Sequence, residues 1–161
     1  MRHACTTAAL LLLLSGSAVA MKQGDWGLDL NLASRHSEDK YDNGTESYNE
    51  QNHGLGIAYG WRDDWDLKAG FFENSYEHTS AYAGAFWHRD FYWGDWTVAP
   101  GVGLLLVTGY DNSPQNAPVV APMLLPAVSF GHRALRANIG WVPFGEVDFF
   151  TLQLQLNFSV L

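Results

Sequence analysis

Apolar and polar residues alternate along much of the chain after residue 25. Between positions 26 and 32, Trp26, Leu28 and Leu30 are apolar, while the residues between them are small or polar. Because successive side chains of a β-strand point to opposite faces, this period of two predicts a strand with one apolar and one polar face. The same alternation is found in three further segments: 55–61, 135–141 and 152–160.

Weaker strand signals fill the intervals between these segments, at 65–74, 80–90, 95–107 and 119–130. The eight predicted strands are joined by connections of alternating length. The first connection, 37–52, is long and polar, whereas the second, 63–64, is short. Short turns on one side and longer loops on the other are typical of outer-membrane barrels. We therefore predict an all-β protein of the bacterial outer membrane, folded as an eight-stranded antiparallel up-and-down transmembrane β-barrel.

A soluble barrel of the lipocalin kind has the same period, with its apolar face inside. Two features favour lipid on the outside. Tryptophans and tyrosines gather near strand ends, for example Trp26, Trp93 and Trp141, as in the aromatic girdles at two membrane interfaces. The polar faces carry Gly, Gln and Asn with few charges, which suits a filled lumen better than a water-facing exterior.

Composition excludes several other classes. Of the 161 residues, 47% are hydrophobic, yet the mean hydropathy is −0.12. No apolar run reaches the roughly 18 residues of a membrane helix. Only 16% of the residues are charged and 14% are aromatic, which argues against disorder. The net charge of −8 argues against a nucleic-acid partner, since phosphate binding depends on Lys and Arg.

Residues 1–20 have the three parts of a secretory signal peptide. Arg2 provides the positive start, 8–14 the apolar stretch, and 18–20 the small-x-small cleavage pattern. The alternative, an N-terminal membrane anchor, requires a longer apolar run. The only cysteine, Cys5, lies in this segment. The mature chain is thus predicted to span residues 21–161 as one barrel domain without disulfides.

Two predicted strands break the alternation. From Val98 to Val107 and from Val119 to Phe130, both faces are apolar or glycine. One sector of the lumen is therefore expected to be apolar. It is either a packed interior, as in many small barrels, or a slot for an acyl chain.

Three stretches in the second half resemble a known family: LVTGYDN at 106–112, PVVAPMLLPAVSFG at 118–131 and WVP at 141–143. Together with looser matches at 47–50 and 72–87, they resemble the lipid A palmitoyltransferase (PagP-like) family. The resemblance implies a membrane-embedded barrel that moves an acyl chain from a phospholipid donor to a lipid A acceptor. We expect a monomer with no cofactor and no metal.

Two prolines match the lateral gate of that family. Pro126 and Pro143 have the separation of the pair that opens the family's barrel wall between adjacent strands. Proline has no backbone donor and interrupts a strand ladder, so the pair implies an entrance for a lipid tail. Alternatively, both prolines simply mark strand ends.

The resemblance also implies a catalytic site at the outer rim. His36 matches the family's histidine if one gap is allowed, Ser75 matches its serine, and Asn74 replaces its aspartate. In the eight-strand layout both His36 and Ser75 end at the extracellular rim. His36 would act as general base, whereas Asn74 could orient a group or donate a hydrogen bond but not accept a proton. The alternative is a pair of solvated loop residues.

Two departures from the family pattern affect the expected chemistry. The glycine that forms the floor of the family's acyl pocket corresponds to Phe86, which implies an acyl chain shorter than palmitate or no chain at all. Only about five mature residues precede Trp26, so the family's amphipathic helix is absent.

Other functions remain open from the sequence alone. His78-Thr79-Ser80 fits the short His-x-Ser motif of lipid A deacylases. A non-enzymatic structural or adhesive barrel is favoured by Asn74 and by the missing helix. The acidic first loop is either a solvated surface or a site for divalent cations that bridge lipopolysaccharide.

Overall fold

A computed structural model describes residues 21–41, 45–111, 119–144 and 147–159, so the predicted signal segment lies outside the described residues. Within these ranges, no helix is long and apolar enough to cross a membrane. The described strands are β1 (Trp26–His36), β2 (Lys40–Tyr41), β3 (Glu46–Ser47), β4 (Gly54–Arg62), β5 (Trp65–Glu73), β6 (Thr79–His88), β7 (Phe91–Trp93), β8 (Trp96–Thr108), β9 (Val120–His132), β10 (Leu135–Phe144) and β11 (Val147–Phe158).

Eight of these strands close into a barrel, in the order β1, β4, β5, β6, β8, β9, β10, β11. Neighbours are antiparallel, and the pairing of β1 with β11 closes the circle. This confirms the predicted architecture. The first loop contains the small β2–β3 hairpin, and β7 pairs with the start of β8. Strand β10 ends later along the chain than predicted, and β11 begins earlier. The sequence missed these residues because Pro143 in β10 and the consecutive Phe149 and Phe150 in β11 interrupt the alternation.

The apolar faces of the strands point outward. Leu28, Leu30 and Ile57 are 41%, 40% and 52% exposed, whereas Asp29, between the two leucines, is fully buried. An apolar exterior around a polar interior is the arrangement that a bilayer requires of a barrel. The lipid-facing prediction is therefore confirmed, and the lipocalin-like arrangement is wrong.

The two ends of the barrel differ. We call the end with the connections 37–53, 74–78 and 109–119 the upper end, and the end with the turns 63–64 and 133–134 the lower end. Short turns are typical of the periplasmic side, which the lower end therefore faces. Most exposed tryptophans ring the lower end: Trp26, Trp61, Trp65, Trp87, Trp93 and Trp96. Trp141, which pairs with Phe150, lies instead toward the upper end.

The lumen changes character along its length. In its lower half the Lys68 ammonium donates to Asp29 Oδ2 at 3.2 Å and to Gln155 Oε1 at 2.8 Å. Below it, the buried Arg136 guanidinium pairs with Asp90 at 2.9 Å. The upper half instead holds an apolar cluster that includes Leu105 and Val107 of β8. The apolar sector expected from the sequence is therefore present, but it is confined to the upper half.

Candidate functional site

His36 is the last residue of β1 and is buried at the upper end. Its imidazole stacks on the Tyr48 ring, with centroids 4.2 Å apart and planes 8° from parallel. The Phe149 ring lies on another side, at 4.9 Å. Within the described part of the chain, the buried His36 Nδ1 has no hydrogen-bond partner. The imidazole is thus fixed by two rings while one of its nitrogens stays available.

Ser75 lies in the turn that follows β5, and it is also buried. Its backbone carbonyl accepts a hydrogen bond from Asn49 N at 2.9 Å, which ties this turn to the first loop. Ser75 and His36 line one small cavity of about 20 Å³. The structure therefore brings these two predicted site residues together at the same rim.

Asn74 is fully buried, and its amide is engaged on every side. Nδ2 donates to the carbonyl of Gly109 at 2.6 Å and to Ser80 Oγ at 3.0 Å. Oδ1 accepts from the backbone N–H groups of Tyr76 and His78, at 2.9 and 3.0 Å. This uses both donors of the amide and two acceptor positions on its oxygen. Asn74 therefore holds the 74–78 turn against β6 and the end of β8, and it does not line the cavity shared by His36 and Ser75.

Tyrosines that the sequence did not point to surround the His36 and Ser75 side chains. We call Tyr41, Tyr48, Tyr76 and Tyr110 the tyrosine cap. Their rings form a row of neighbouring contacts. The ring centroids of Tyr41 and Tyr76 are 4.9 Å apart, and those of Tyr76 and Tyr110 are 6.0 Å apart. Burial raises the pKa of the Tyr110 phenol above its usual range, so it remains a neutral hydrogen-bonding group. The sequence offered an indirect signal for three of them, because Tyr48, Tyr76 and Tyr110 lie in the family-matching segments 47–50, 72–87 and 106–112.

A larger cavity of about 110 Å³ lies below the small one, inside the barrel. Ser75 lines both cavities. One wall of the larger cavity is apolar and comes mainly from β8 and β9, including Leu105, Val107, Met123 and Leu125. The opposite wall carries Ser34 of β1 and Asn52, which precedes β4. Ser75 thus stands where an apolar lumen meets the outer rim.

Phe86, the predicted pocket floor, points into the lumen and is 7% exposed. Its ring fills the space left by two glycines of β8, since a Cβ on Gly101 or Gly103 would lie 2.7 or 2.9 Å from it. The Lys68 ammonium lies 5.9 Å from the ring centroid, within cation–π range. Phe86 therefore lies at the boundary between the apolar upper lumen and the polar lower lumen.

The predicted gate lies between β9 and β10. The paired register of these strands runs from Leu135–His132 to Gly140–Ala127 and stops directly before Pro126. Both strands continue beyond that point, with β9 paired to β8 and β10 paired to β11. Continuing the register would place Pro126 opposite Trp141, so the two prolines are offset by two residues instead of directly opposed. Within the described residues, the wall above Ala127 lacks a ladder between β9 and β10.

The geometry is less favourable for the two other candidate sites from the sequence, the His-x-Ser motif and a cation site in the acidic first loop. His78 is exposed, whereas Ser80 is fully buried and accepts the hydrogen bond from Asn74, so the His-x-Ser residues do not face a common cavity. Two carboxylates of the first loop, Asp39 and Glu50, pair with Arg35 of β1 at 3.0 and 2.8 Å. Among the described residues there is no group of three metal-ligating side chains.

Residues 18–151 match the family described as "Antimicrobial peptide resistance and lipid A acylation protein PagP". The chain belongs to this family. A comparison with curated proteins finds no match. Family and fold together place the protein in the bacterial outer membrane, as a member of a lipid A-modifying family.

Solved structures agree on the fold. A de novo designed transmembrane β-barrel is 10% identical with a TM-score of 0.59, and the match covers 87% of this chain and 100% of the design. The N-terminal β-barrel domain of Pseudomonas aeruginosa OprF is 15% identical with a TM-score of 0.51, covering 84% of this chain and 98% of that domain. At these identities the likeness concerns the barrel fold alone.

Proposed function

We propose that the protein is an acyltransferase that moves an acyl chain shorter than palmitate from a phospholipid to lipid A. The observation that carries this proposal is the position of Ser75, which lines both the apolar cavity and the small rim cavity that it shares with His36. An ester whose chain lies in the larger cavity would present its carbonyl at Ser75. The acceptor, in the outer leaflet, would approach from the rim.

The proposed reaction exchanges one ester for another. The lipid A hydroxyl oxygen bonds to the acyl carbonyl carbon, and the bond from that carbon to the glycerol oxygen breaks. His36 accepts the hydroxyl proton and returns it to the glycerol oxygen, which leaves a lysophospholipid. The Ser75 hydroxyl is a hydrogen-bond donor for the developing oxyanion. Asn74 acts as a positioning residue, because its amide fixes the turn that carries Ser75.

Two further features support a lipid substrate of limited length. The missing ladder above Ala127 provides a lateral path for an acyl chain from the bilayer. At the other end, the Phe86 ring stands in the lumen beside the polar network around Lys68, which lines the same cavity. We expect this change from an apolar to a polar lining to limit the length of the chain. The expected product is therefore lipid A carrying one additional chain of fewer carbons than palmitate.

A non-enzymatic outer-membrane barrel is the second candidate function, and one observation favours it. The family's carboxylate is replaced by Asn74, whose amide is fully engaged in structural hydrogen bonds. In that case the polar lumen and the upper loops would serve stability or surface contact, and the rim cavity would have no substrate.

Lipid A mass spectrometry separates the two candidates. The chain would be expressed in a Gram-negative host that lacks such an acyltransferase, beside His36→Ala, Ser75→Ala and the exposed control Ser47→Ala. Heat-modifiable gel mobility would verify that each variant is folded. We expect one added acyl group with the wild type and the control, and none with the two site variants. An unaltered lipid A profile with folded wild-type protein would instead support the non-enzymatic barrel.

A further inference from the structure

Several buried polar atoms that line the larger cavity lack hydrogen-bond partners within the described residues, and two of them lie on its polar wall near the upper end. They are Ser34 Oγ and Asn52 Oδ1, and each residue is 7% exposed. Both side chains line the cavity. Leaving a buried polar group unpaired costs about 1–3 kcal/mol, so native structures seldom retain one without a reason.

The backbone places the two residues at the same end of one strand pair. The β1–β4 ladder ends at the pair Asn31–Gly54, and the next residues of β1 contact the segment that leads into β4. Ser34 N donates to the carbonyl of Glu50 at 3.0 Å. Continuing the antiparallel register would place Ser34 opposite Gln51, the neighbour of Asn52, so both cavity-lining residues belong to the same end of this strand pair.

The hydrogen-bonding capacities of the two atoms are complementary. Asn52 Nδ2 donates to the carbonyl of Glu73 at 2.9 Å, which fixes the amide and leaves Oδ1 as an acceptor. The Ser34 hydroxyl is free to rotate and can act as a donor. A ligand hydroxyl between them would accept from Ser34 and donate to Asn52, which satisfies both atoms at once. The apolar wall opposite, with Leu105 and Met123, suits the rest of a hydrocarbon chain.

We infer that the larger cavity selects an acyl chain that carries a hydroxyl group close to its carboxyl end. This inference rests on the proposed acyl transfer and specifies its substrate. Ser34 lies two residues below His36 on β1, which is about 7 Å along a strand. The hydroxyl would therefore lie within the first few carbons below the ester carbonyl. A chain without it would leave both polar atoms buried and unpaired, which disfavours that chain.

The test uses the purified, detergent-folded full barrel with two matched donors. One phospholipid carries dodecanoyl chains, and the other carries β-hydroxydodecanoyl chains of the same length. The two compete for transfer to lipid A, and mass spectrometry distinguishes the products by one oxygen atom. We expect the hydroxylated chain to be preferred roughly tenfold, the ratio for one well-formed hydrogen bond of about 1.4 kcal/mol.

Three variants make the test specific. Ser34→Ala removes a hydroxyl that makes no hydrogen bond within the described structure, so the barrel should fold while the preference disappears. Ser34→Thr keeps the hydroxyl and should retain the preference. Ser129→Ala removes a buried serine from the β9 side of the same cavity and should leave the ratio of the two products unchanged.

A second measurement separates this inference from the proposed function. The melting temperature of the folded barrel would be compared with dodecanoate and with β-hydroxydodecanoate, because a bound ligand stabilises the folded state. If neither chain is transferred but the hydroxylated acid stabilises the barrel more, selection stands and acyl transfer is wrong. If both chains are transferred equally, acyl transfer stands and selection is overturned. Equal stabilisation by the two acids, as expected if water fills the site, also overturns it.

Discussion

Replacing Asn74 by aspartate would introduce the residue that the family resemblance implies at this position, yet the structure predicts a less stable barrel. In Asn74→Asp, a carboxylate oxygen would take the place of Nδ2, 2.6 Å from the Gly109 carbonyl oxygen. Two acceptors would then face each other inside the protein. The contacts to the backbone N–H groups of Tyr76 and His78 would persist, and the Ser80 hydroxyl could rotate to donate.

The cost follows from these contacts. One buried carbonyl loses its donor, at about 1–3 kcal/mol, and a partly compensated charge is buried as well. We therefore expect a loss of roughly 2–4 kcal/mol at neutral pH, which corresponds to a fall of about 1–2 M in the urea midpoint. Protonation restores a donor toward Gly109, so folding raises the pKa of the new carboxyl above its unfolded value of about 3.9. Its protonated form contributes stability below about pH 4, and this contribution is lost as pH rises through the folded-state pKa.

The assay is urea unfolding of the detergent-folded barrel, followed by gel mobility and tryptophan fluorescence at neutral and acidic pH. Gln51→Glu is the matched control, because it makes the same amide-to-carboxylate change at an exposed position of the upper end. It should leave the midpoint nearly unchanged. An Asn74→Asp barrel as stable as the wild type at neutral pH would refute the structural role assigned to this amide.

Three further predictions test other parts of the barrel. Phe86→Ala should lengthen the acyl chain added to lipid A, as read by mass spectrometry, while costing about 3–5 kcal/mol of stability; an unchanged chain length would mean that Phe86 is not the floor. Burial alone would raise the pKa of the Asp90 carboxyl, but the nearby His88, with Nδ1 3.5 Å from Asp90 Oδ1, and the charge of Arg136 outweigh it and lower that pKa. The Asp90 carboxylate therefore contributes stability above about pH 4 that is lost in acid, and urea midpoints of Asp90→Asn should vary less with pH there than those of the wild type. Finally, cysteines introduced by Pro126→Cys and Trp141→Cys would lie opposite each other if the β9–β10 register continued. A disulfide between them should close the lateral path and stop acyl transfer until a reductant is added. A control disulfide between His132→Cys and Leu135→Cys, at the lower end, should not stop it.

The barrel was predictable from sequence because its signal is local. Alternation within single strands defines which residues face lipid, and it also places Phe86 inside, since Trp87 and Ala85 beside it point outward. The β2–β3 hairpin was missed because its two-residue strands lie in a polar loop without a period of two.

The candidate site was only partly predictable, because its contacts join distant parts of the chain. Strand order alone was enough to bring His36 and Ser75 to one rim. The hydrogen bonds of Asn74 could not be read from its neighbours, since one partner, Gly109, lies beyond β6 and β8. The tyrosine cap likewise combines Tyr41 and Tyr48 from the first loop with Tyr76 and Tyr110 from two others.

The interrupted β9–β10 ladder also has a consequence for how the barrel assembles and opens. Above Ala127, β9 is paired only with β8, and its Pro122 and Pro126 lack the amide hydrogens that hydrocarbon would leave unsatisfied. This seam is therefore the weakest line around the circumference. Amide hydrogens of β9 and β10 beside the seam should exchange with deuterium before those of the continuous β1–β11 pair. During insertion, these two strands should be the last neighbours to pair, and during unfolding they should be the first to separate.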